Sequence, residues 1–339
     1  MAHRHRVRDI ADQSGLSQAT VDRVLHHRAG VSPRATRAVH RAIADLDRQA
    51  GQLVLTGRSL VADLVMAAPE RFTTLVRSAF ESESAMLRPA LVRLRYDLEA
   101  SIEPERLAHR LERLARRGSD GVLLKAPDVP VVAQAVDAVL AAGIPVFTLV
   151  TDLPTTARHA YVGVDDTSAG ATAAYLLDLA LGASPGDVLV PLSGAAFLGE
   201  ERRAAGFVQE LARVRPGAAV VRIEGSDGLD ATMRDRAGVE LAAHPGLSAV
   251  YSPGGANRGM LAAFAQADRA VRGFVAHDLD ADNVALLRAG RLTAVLHHDL
   301  RRDARSALRG LLQVKGLLPG RPVSVSSPIV VVTPHNLPV

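Results

Sequence analysis

The sequence predicts an α/β protein: a three-helix N-terminal unit of helix-turn-helix character, a short hinge, and a two-lobed core with parallel sheets. Three observations carry this expectation. The whole net charge of +4 falls within residues 1–48, while the remaining basic and acidic residues balance. The stretch LSQATVDRVL at 16–25 follows a shorter helical pattern after a glycine turn. From residue 60 onward, short apolar strands alternate with amphipathic helices.

A chain of 339 residues exceeds one small core and points to two or three domains. It contains no cysteine, which excludes disulfides, thiolate catalysis and cysteine-ligated zinc. The segment MAHRHRVRDIAD lacks an apolar run of signal-peptide length, and the longest apolar runs are strand-sized. A cytoplasmic protein with no membrane span and no cofactor is therefore expected. A local basic segment steers a protein toward phosphate, and a solubilising head would have the same composition.

In the first element, Val7, Ile10 and Ala11 form an apolar face, Gly15 ends the helix and Leu16 plugs the turn. Ser17 is a good N-cap for the second helix, with Thr20 where a full capping box would have glutamate. Val21, Val24 and Leu25 share one face, leaving Gln18, Asp22 and Arg23 outside it. Ser32-Pro33 caps and starts a third helix to about Arg48. Such a unit lays its second helix in the DNA major groove. There Gln18 can read an adenine edge, Arg23 can reach guanine or phosphate, and Ala19 can offer only apolar contact. Ser17, Thr20, Ser32 and Arg34 stand as phosphate anchors near helix N-termini. Asp22 opposes phosphate unless Arg23 or Arg28 compensates it; it can also accept from a cytosine amino group.

The stretch VRDIADQSGLSQATVDRVL resembles the DNA-binding headpiece of the lactose-repressor/galactose-repressor family. Val7, Asp9, Ile10, Ala11, Gly15, Ser17, Thr20, Val21, Arg23, Val24 and Leu25 fill the family pattern. Asp22, Ser14 and Leu16 replace its usual serine, alanine and valine. The resemblance puts Gln18, Ala19 and Arg23 on base-reading positions. It also implies that residues 49–59, QAGQLVLTGRS, form a hinge helix whose Leu55 wedges into the minor groove of operator DNA. The family's lead-in is replaced here by LDRQ, and Gly51 and Gly57 weaken a helix, so a flexible linker is the other reading.

The core pattern runs strand 60–66, helix about Phe72 to Met86, strand 91–97, a helix ending at Gly118, and so on to PVSVSSPIVVVTP. This is a βαβ series with buried parallel strands. It divides into lobes of about 60–160 and 161–295, with the last segment crossing back. No Gly-x-Gly-x-x-Gly follows the first strand of either lobe, and no Gly-x-x-x-x-Gly-Lys-Ser/Thr loop occurs. Residues 60–330 resemble the periplasmic-binding-protein-like effector core of the same repressor family, in which a small ligand sits between the lobes.

Asp165 and Asp166 stand at a strand end before a helix, where one accepts from vicinal hydroxyls and the other caps the helix. The resemblance implies ligand roles for Arg203 in ERRAAGF, Asp278 after GFVAH, Ser252 in VYSPGG, His298 at a further strand end, and Phe72. Phe72, Tyr96, Tyr161 and Phe197 are the few rings on which a sugar can stack. The expected function is a ligand-responsive repressor: a homodimer on pseudo-palindromic double-stranded operator DNA, released by a sugar, polyol or related metabolite. A solute-binding protein would need a signal peptide and no basic head. An enzyme would use His109, His277, His297 or His298 as base and Asp165 or Asp278 as acid. No Gly-x-Ser-x-Gly elbow or metal-ligand spacing assembles from these residues.

Overall fold

The computed structural model describes residues 5–55, 59–87, 91–193, 197–226 and 228–337, with backbone course only at 47–55 and 193. Three helices open the chain: α1 (Val7–Ser14), α2 (Gln18–Leu25) and α3 (Pro33–Leu55). Ile10, Ala11, Val21, Val24, Val39 and Ala42 form a core of their own. Gly15 ends α1 at φ 67, a left-handed conformation that glycine adopts without strain. Pro33 starts α3 after Ser32, whose Oγ accepts from the Ala35 N–H at 3.2 Å.

The expected break near Arg48 is absent. α3 continues through Gly51 to Leu55, so most of the assigned hinge is helical. One glycine costs about 1 kcal/mol in a helix interior, which an already propagating helix absorbs. Residues 56–58 and the side chain of Leu55 lie outside the described residues.

The core holds two six-stranded sheets. The first combines β1 (Ser59–Ala67), β2 (Leu91–Glu99), β3 (Gly121–Lys125), β4 (Val146–Leu149), β5 (Ala160–Val164) and β11 (Val325–Ser327), in the order β11-β5-β4-β3-β1-β2. The second combines β6 (Asp187–Ser193), β7 (Val220–Ser226), β8 (Leu247–Ser252), β9 (Gly273–His277), β10 (Ala294–His297) and β12 (Val330–Val332), in the order β12-β10-β9-β8-β6-β7. Every pairing is parallel except β10 with β12.

Each sheet is buried on both faces, as parallel strands require. In the first lobe, α4 (Glu70–Met86) and α12 (Leu300–Val314) cover one face, and α5 (Pro104–Arg117) and α6 (Pro130–Ala141) the other. In the second, α7 (Asp166–Leu181) and α8 (Leu198–Val214) face α9 (Asp230–Ala243), α10 (Asn257–Gln266) and α11 (Ala281–Arg288) across the sheet. One boundary differs from the sequence reading. β5 pairs with β4, so the chain leaves the first lobe after Val164 rather than at residue 160. α12 packs on α4, so the return crossing begins directly after β10. A short apolar strand carries no mark of which sheet it joins; partner strands decide it. Among the described residues, no helix is long and apolar enough to cross a membrane.

Candidate functional site

The headpiece surface follows from its caps. Ser17 Oγ accepts from the Thr20 N–H at 3.2 Å and lies 2.9 Å from Thr20 Oγ1. This fixes the start of α2 and turns Gln18 and Ala19 outward, exposed, beside exposed Arg23. Arg23 has no ion-pair partner among the described residues. Asp22 is neutralised by Arg28, which donates from Nη1 at 3.1 Å, with His26 Nδ1 at 3.0 Å on its other oxygen. Of Arg23 and Arg28, the fold uses Arg28 to compensate Asp22 and turns Arg23 outward. Ser32 and Arg34 are exposed at the start of α3. The hydroxyls of Ser17 and Ser32 are thus occupied in helix capping as well as available at the surface.

The second site is a cavity of about 500 Å³ between the lobes. It lies at the C-terminal ends of the strands, where strand order reverses beside β1 in one sheet and β6 in the other. Lys125, Phe72 and Arg71 line it from the first lobe; Arg203, Glu200, Asp278 and Asp280 line it from the second.

Lys125 ends β3 and is buried. Its Nζ donates to the Ala67 carbonyl at 3.0 Å and sits 3.3 Å from the Phe197 ring centroid. That cation–π contact occupies one face of the ring. Burial pulls the Lys125 pKa down to about 8. Arg203, on α8, donates from Nε to Asp166 at 2.7 Å and from Nη1 to the Pro253 carbonyl at 3.0 Å. Burial opposes its charge, yet the carboxylates of Asp166 and Asp278 carry the net shift upward, so it remains a guanidinium. Arg71 crosses the cleft, with Nε 3.2 Å from Asp280 and Nη2 donating to the Gly228 carbonyl at 3.3 Å.

Asp278 follows β9 at φ 64, a left-handed conformation unusual for a non-glycine residue. Asn283 holds it there: its Nδ2 donates to the carbonyls of His277 and Asp278 at 2.8 and 2.7 Å. His277 lines the cavity 2.9 Å from the Tyr251 hydroxyl, and burial pulls its pKa well below the usual value, leaving a neutral ring. Val150 also lines the cavity with positive φ (66).

Of the residues the sequence singled out, Phe72, Arg203, Asp278 and His277 meet in the cavity, together with Phe197. Asp166 stands behind Arg203 as its counter-ion. Asp165 does not reach the cavity: it is the exposed N-cap of α7, accepting from the Ser168 N–H at 3.1 Å. Ser252 is turned into its own turn, donating to the Gly255 carbonyl and accepting from the Gly255 N–H. His298 lies behind Asp278, not on the cavity wall. Tyr96 is covered by Arg77 instead, and the Tyr161 hydroxyl donates to the Val150 and Val164 carbonyls. The sequence does not single out Lys125, Arg71, Glu200 or Asp280, which also line the cavity. Lys125 at a strand end and Asp280 just beyond another carried a positional signal; Arg71 and Glu200, on helices, carried none.

The model for bacterial regulatory proteins of the lacI family matches residues 6–48, and the model for the periplasmic binding protein domain matches residues 64–316. No curated protein matches the chain in sequence. GanP, a glucose-galactose binding protein from Geobacillus stearothermophilus, is 20% identical with a TM-score of 0.73, covering 83% of this chain and 100% of its own. A solute binding protein of an ABC transporter from Burkholderia graminis, in complex with D-arabinose, is 23% identical with a TM-score of 0.72, over 83% and 97% of the two chains. A putative LacI transcriptional regulator from Bacteroides fragilis is 15% identical with a TM-score of 0.71, over 82% and 98%. At these identities the likeness is one of fold.

Proposed function

Because the chain belongs to the periplasmic binding protein domain family and carries a lacI-family headpiece in front of that domain, as lactose-repressor/galactose-repressor regulators do, we propose that it is a ligand-responsive transcriptional repressor. The observation that carries the reading is this fusion, with Gln18, Ala19 and Arg23 exposed on α2 at one end and an interlobe cavity with charged groups in its lining at the other. In the proposed mechanism a homodimer sets two α2 helices into successive major grooves of a pseudo-palindromic operator. Gln18 and Arg23 read base edges, Ala19 makes apolar contact, and Ser17, Thr20, Ser32 and Arg34 hold phosphates. Leu55, at the end of α3, enters the minor groove.

The effector is a small polyhydroxylated molecule, a sugar or polyol. Asp278 accepts from its hydroxyls, Arg203 and Lys125 donate to it, and Phe72 covers an apolar face. Binding changes the angle between the lobes and hence the spacing of the headpieces, a coupling of a few kcal/mol being enough to empty the operator.

Selection of bound sites from random duplex DNA tests the reading. Enrichment of an inverted repeat, with Arg23→Ala weakening the selected site about ten- to a hundredfold, is expected. D-arabinose, D-galactose, D-glucose and myo-inositol are then titrated into the complex to find the class that releases it. No enrichment with or without these probes overturns the DNA-reading assignment.

A further inference from the structure

Among the described residues, two buried polar atoms beside the cavity have no hydrogen-bond partner: Oδ1 of Asp278 and Nε2 of His298. They face each other at 3.7 Å. That is longer than a hydrogen bond and too close for a water between them. On its far side, His298 Nδ1 is 2.6 Å from Asp303 Oδ2. Asp303 Oδ1 in turn accepts from the hydroxyl of Ser327. The line Ser327–Asp303–His298–Asp278 thus runs from β11 and α12 of the first lobe, through the crossover after β10, to the cavity carboxylate of the second lobe.

We propose that His298 is a positioning residue for effector binding: an imidazolium, oriented by Asp303 and Ser327, that holds the Asp278 carboxylate in place from behind. The assignment rests on the reading of Asp278 as a ligand-accepting carboxylate. Its physical basis is the pairing of one buried ring with two carboxylates. A ring 3% exposed between two acids cannot satisfy both nitrogens as donors unless both carry protons. One proton goes to Asp303, and the other points at the unpartnered oxygen of Asp278. The cavity-facing side of that carboxylate is then left to accept from a ligand.

The surroundings agree with a charged ring. Burial pushes the His298 pKa down, but the hydrogen bond to Asp303 and the charges of Asp303 and Asp278 outweigh it, so the net shift is upward. The groups facing the ring are Asp278 after β9, Asp303 on α12, Asp166 at the start of α7, Arg203 on α8, His277 ending β9, and His297 ending β10. Arg203 opposes the proton and is itself paired with Asp166. His277 is neutral and bonded to Tyr251. Asp278 and Asp303 are therefore the two groups whose removal must be felt at the ring.

Nitrogen-15 NMR of the imidazoles in the full-length, ligand-free protein tests this without DNA or sugar, so its outcome is separate from that of the repressor assignment. His298 is identified by its loss in His298→Gln. In the wild type its two nitrogens should resonate as those of an imidazolium at pH 7. Asp278→Asn and Asp303→Asn should each lower its proton affinity at least tenfold, and Ser327→Ala should lower it less. If Asp303→Asn fails to fold, Asp278→Asn alone decides the link across the 3.7 Å gap. A neutral ring at pH 7, or a titration unmoved by Asp278→Asn, overturns the proposal. Crystals give a second readout: Asp278 should keep its side-chain position in His298→Gln, which retains a donor, and lose it in His298→Leu. An unmoved Asp278 in His298→Leu also overturns it.

Discussion

At the scale of single residues, the cavity is assembled from groups that are unfavourable alone. Lys125 is the clearest. Its pKa falls from 10.5 to about 8 through burial, a shift of roughly 3 kcal/mol in disfavour of the ammonium. Because the folded-state value is the lower one, this penalty is fully present below about pH 8 and fades as pH rises toward 10.5. Lys125→Met should therefore be more stable than wild type by about 1–3 kcal/mol at pH 7, with the difference shrinking by pH 10. Denaturant titrations at the two pH values measure it, and a variant less stable at pH 7 contradicts it. The adjacent acids Asp165 and Asp166 make a second contrast. Asp165 is an exposed N-cap, so Asp165→Ala should lower stability by about 1 kcal/mol. Asp166 is the buried partner of Arg203, and Asp166→Ala leaves that guanidinium unpaired, at about 3–5 kcal/mol. Similar losses from both variants would mean that the ion pair is not the anchor of the cavity floor.

At the scale of elements, α7 and α8 pack with two glycines facing the neighbouring backbone. A Cβ on Gly170 would overlap the Arg203 carbonyl, and one on Gly206 the Thr167 carbonyl. Neither obstacle is a side-chain end that can swing away. Gly170→Ala and Gly206→Ala should each destabilise the second lobe by about 3 kcal/mol. Gly238, inside α9, has no heavy atom within 4 Å of an added Cβ. Gly238→Ala should be neutral or stabilise by up to about 1 kcal/mol, since alanine loses less backbone entropy in a helix. Thermal unfolding of the three variants checks the contrast. The same packing brings Arg203 from α8 against Asp166 on α7, so the glycines serve the cavity as well as the core.

At the scale of the whole molecule, Arg71 is the described side chain that bridges the cleft to both Asp280 and the Gly228 carbonyl. These contacts join the first lobe's α4 to the second lobe, across the space a ligand would occupy. Arg71→Ala should shift the ligand-free protein toward a wider interlobe angle. Small-angle scattering should then show a larger radius of gyration for the variant than for wild type. An unchanged radius would mean that the crossover strands, not this contact, set the angle. The second lobe also meets the first through the Thr151 hydroxyl, which accepts from the Gly199 N–H at 3.0 Å. Closure thus depends on a few polar contacts of modest strength, which a small ligand can outweigh.

The sequence alone determined the organisation: a basic three-helix unit, the turn at Gly15, the cap at Ser17, and a strand–helix alternation that calls for buried parallel sheets. These are local properties, set by backbone propensity and by periodicity within a dozen residues. Phe72, Arg203 and Asp278 came from the resemblance to the repressor core rather than from such local patterns, and the fold brings them to one cavity because strand ends and adjoining helix starts converge there. Tertiary structure decided what depends on neighbours distant in the chain. It assigned β5 to the first sheet, whereas Asp165 and Ser252 are spent on a helix cap and a turn only three residues away. It brought Lys125 over the ring of Phe197 and Arg71 across to Asp280, pairs separated by many residues and without any shared pattern. It also set His298 between Asp278 and Asp303. The charge on a side chain is written in the sequence, but its partner is fixed only when two lobes fold around the same space.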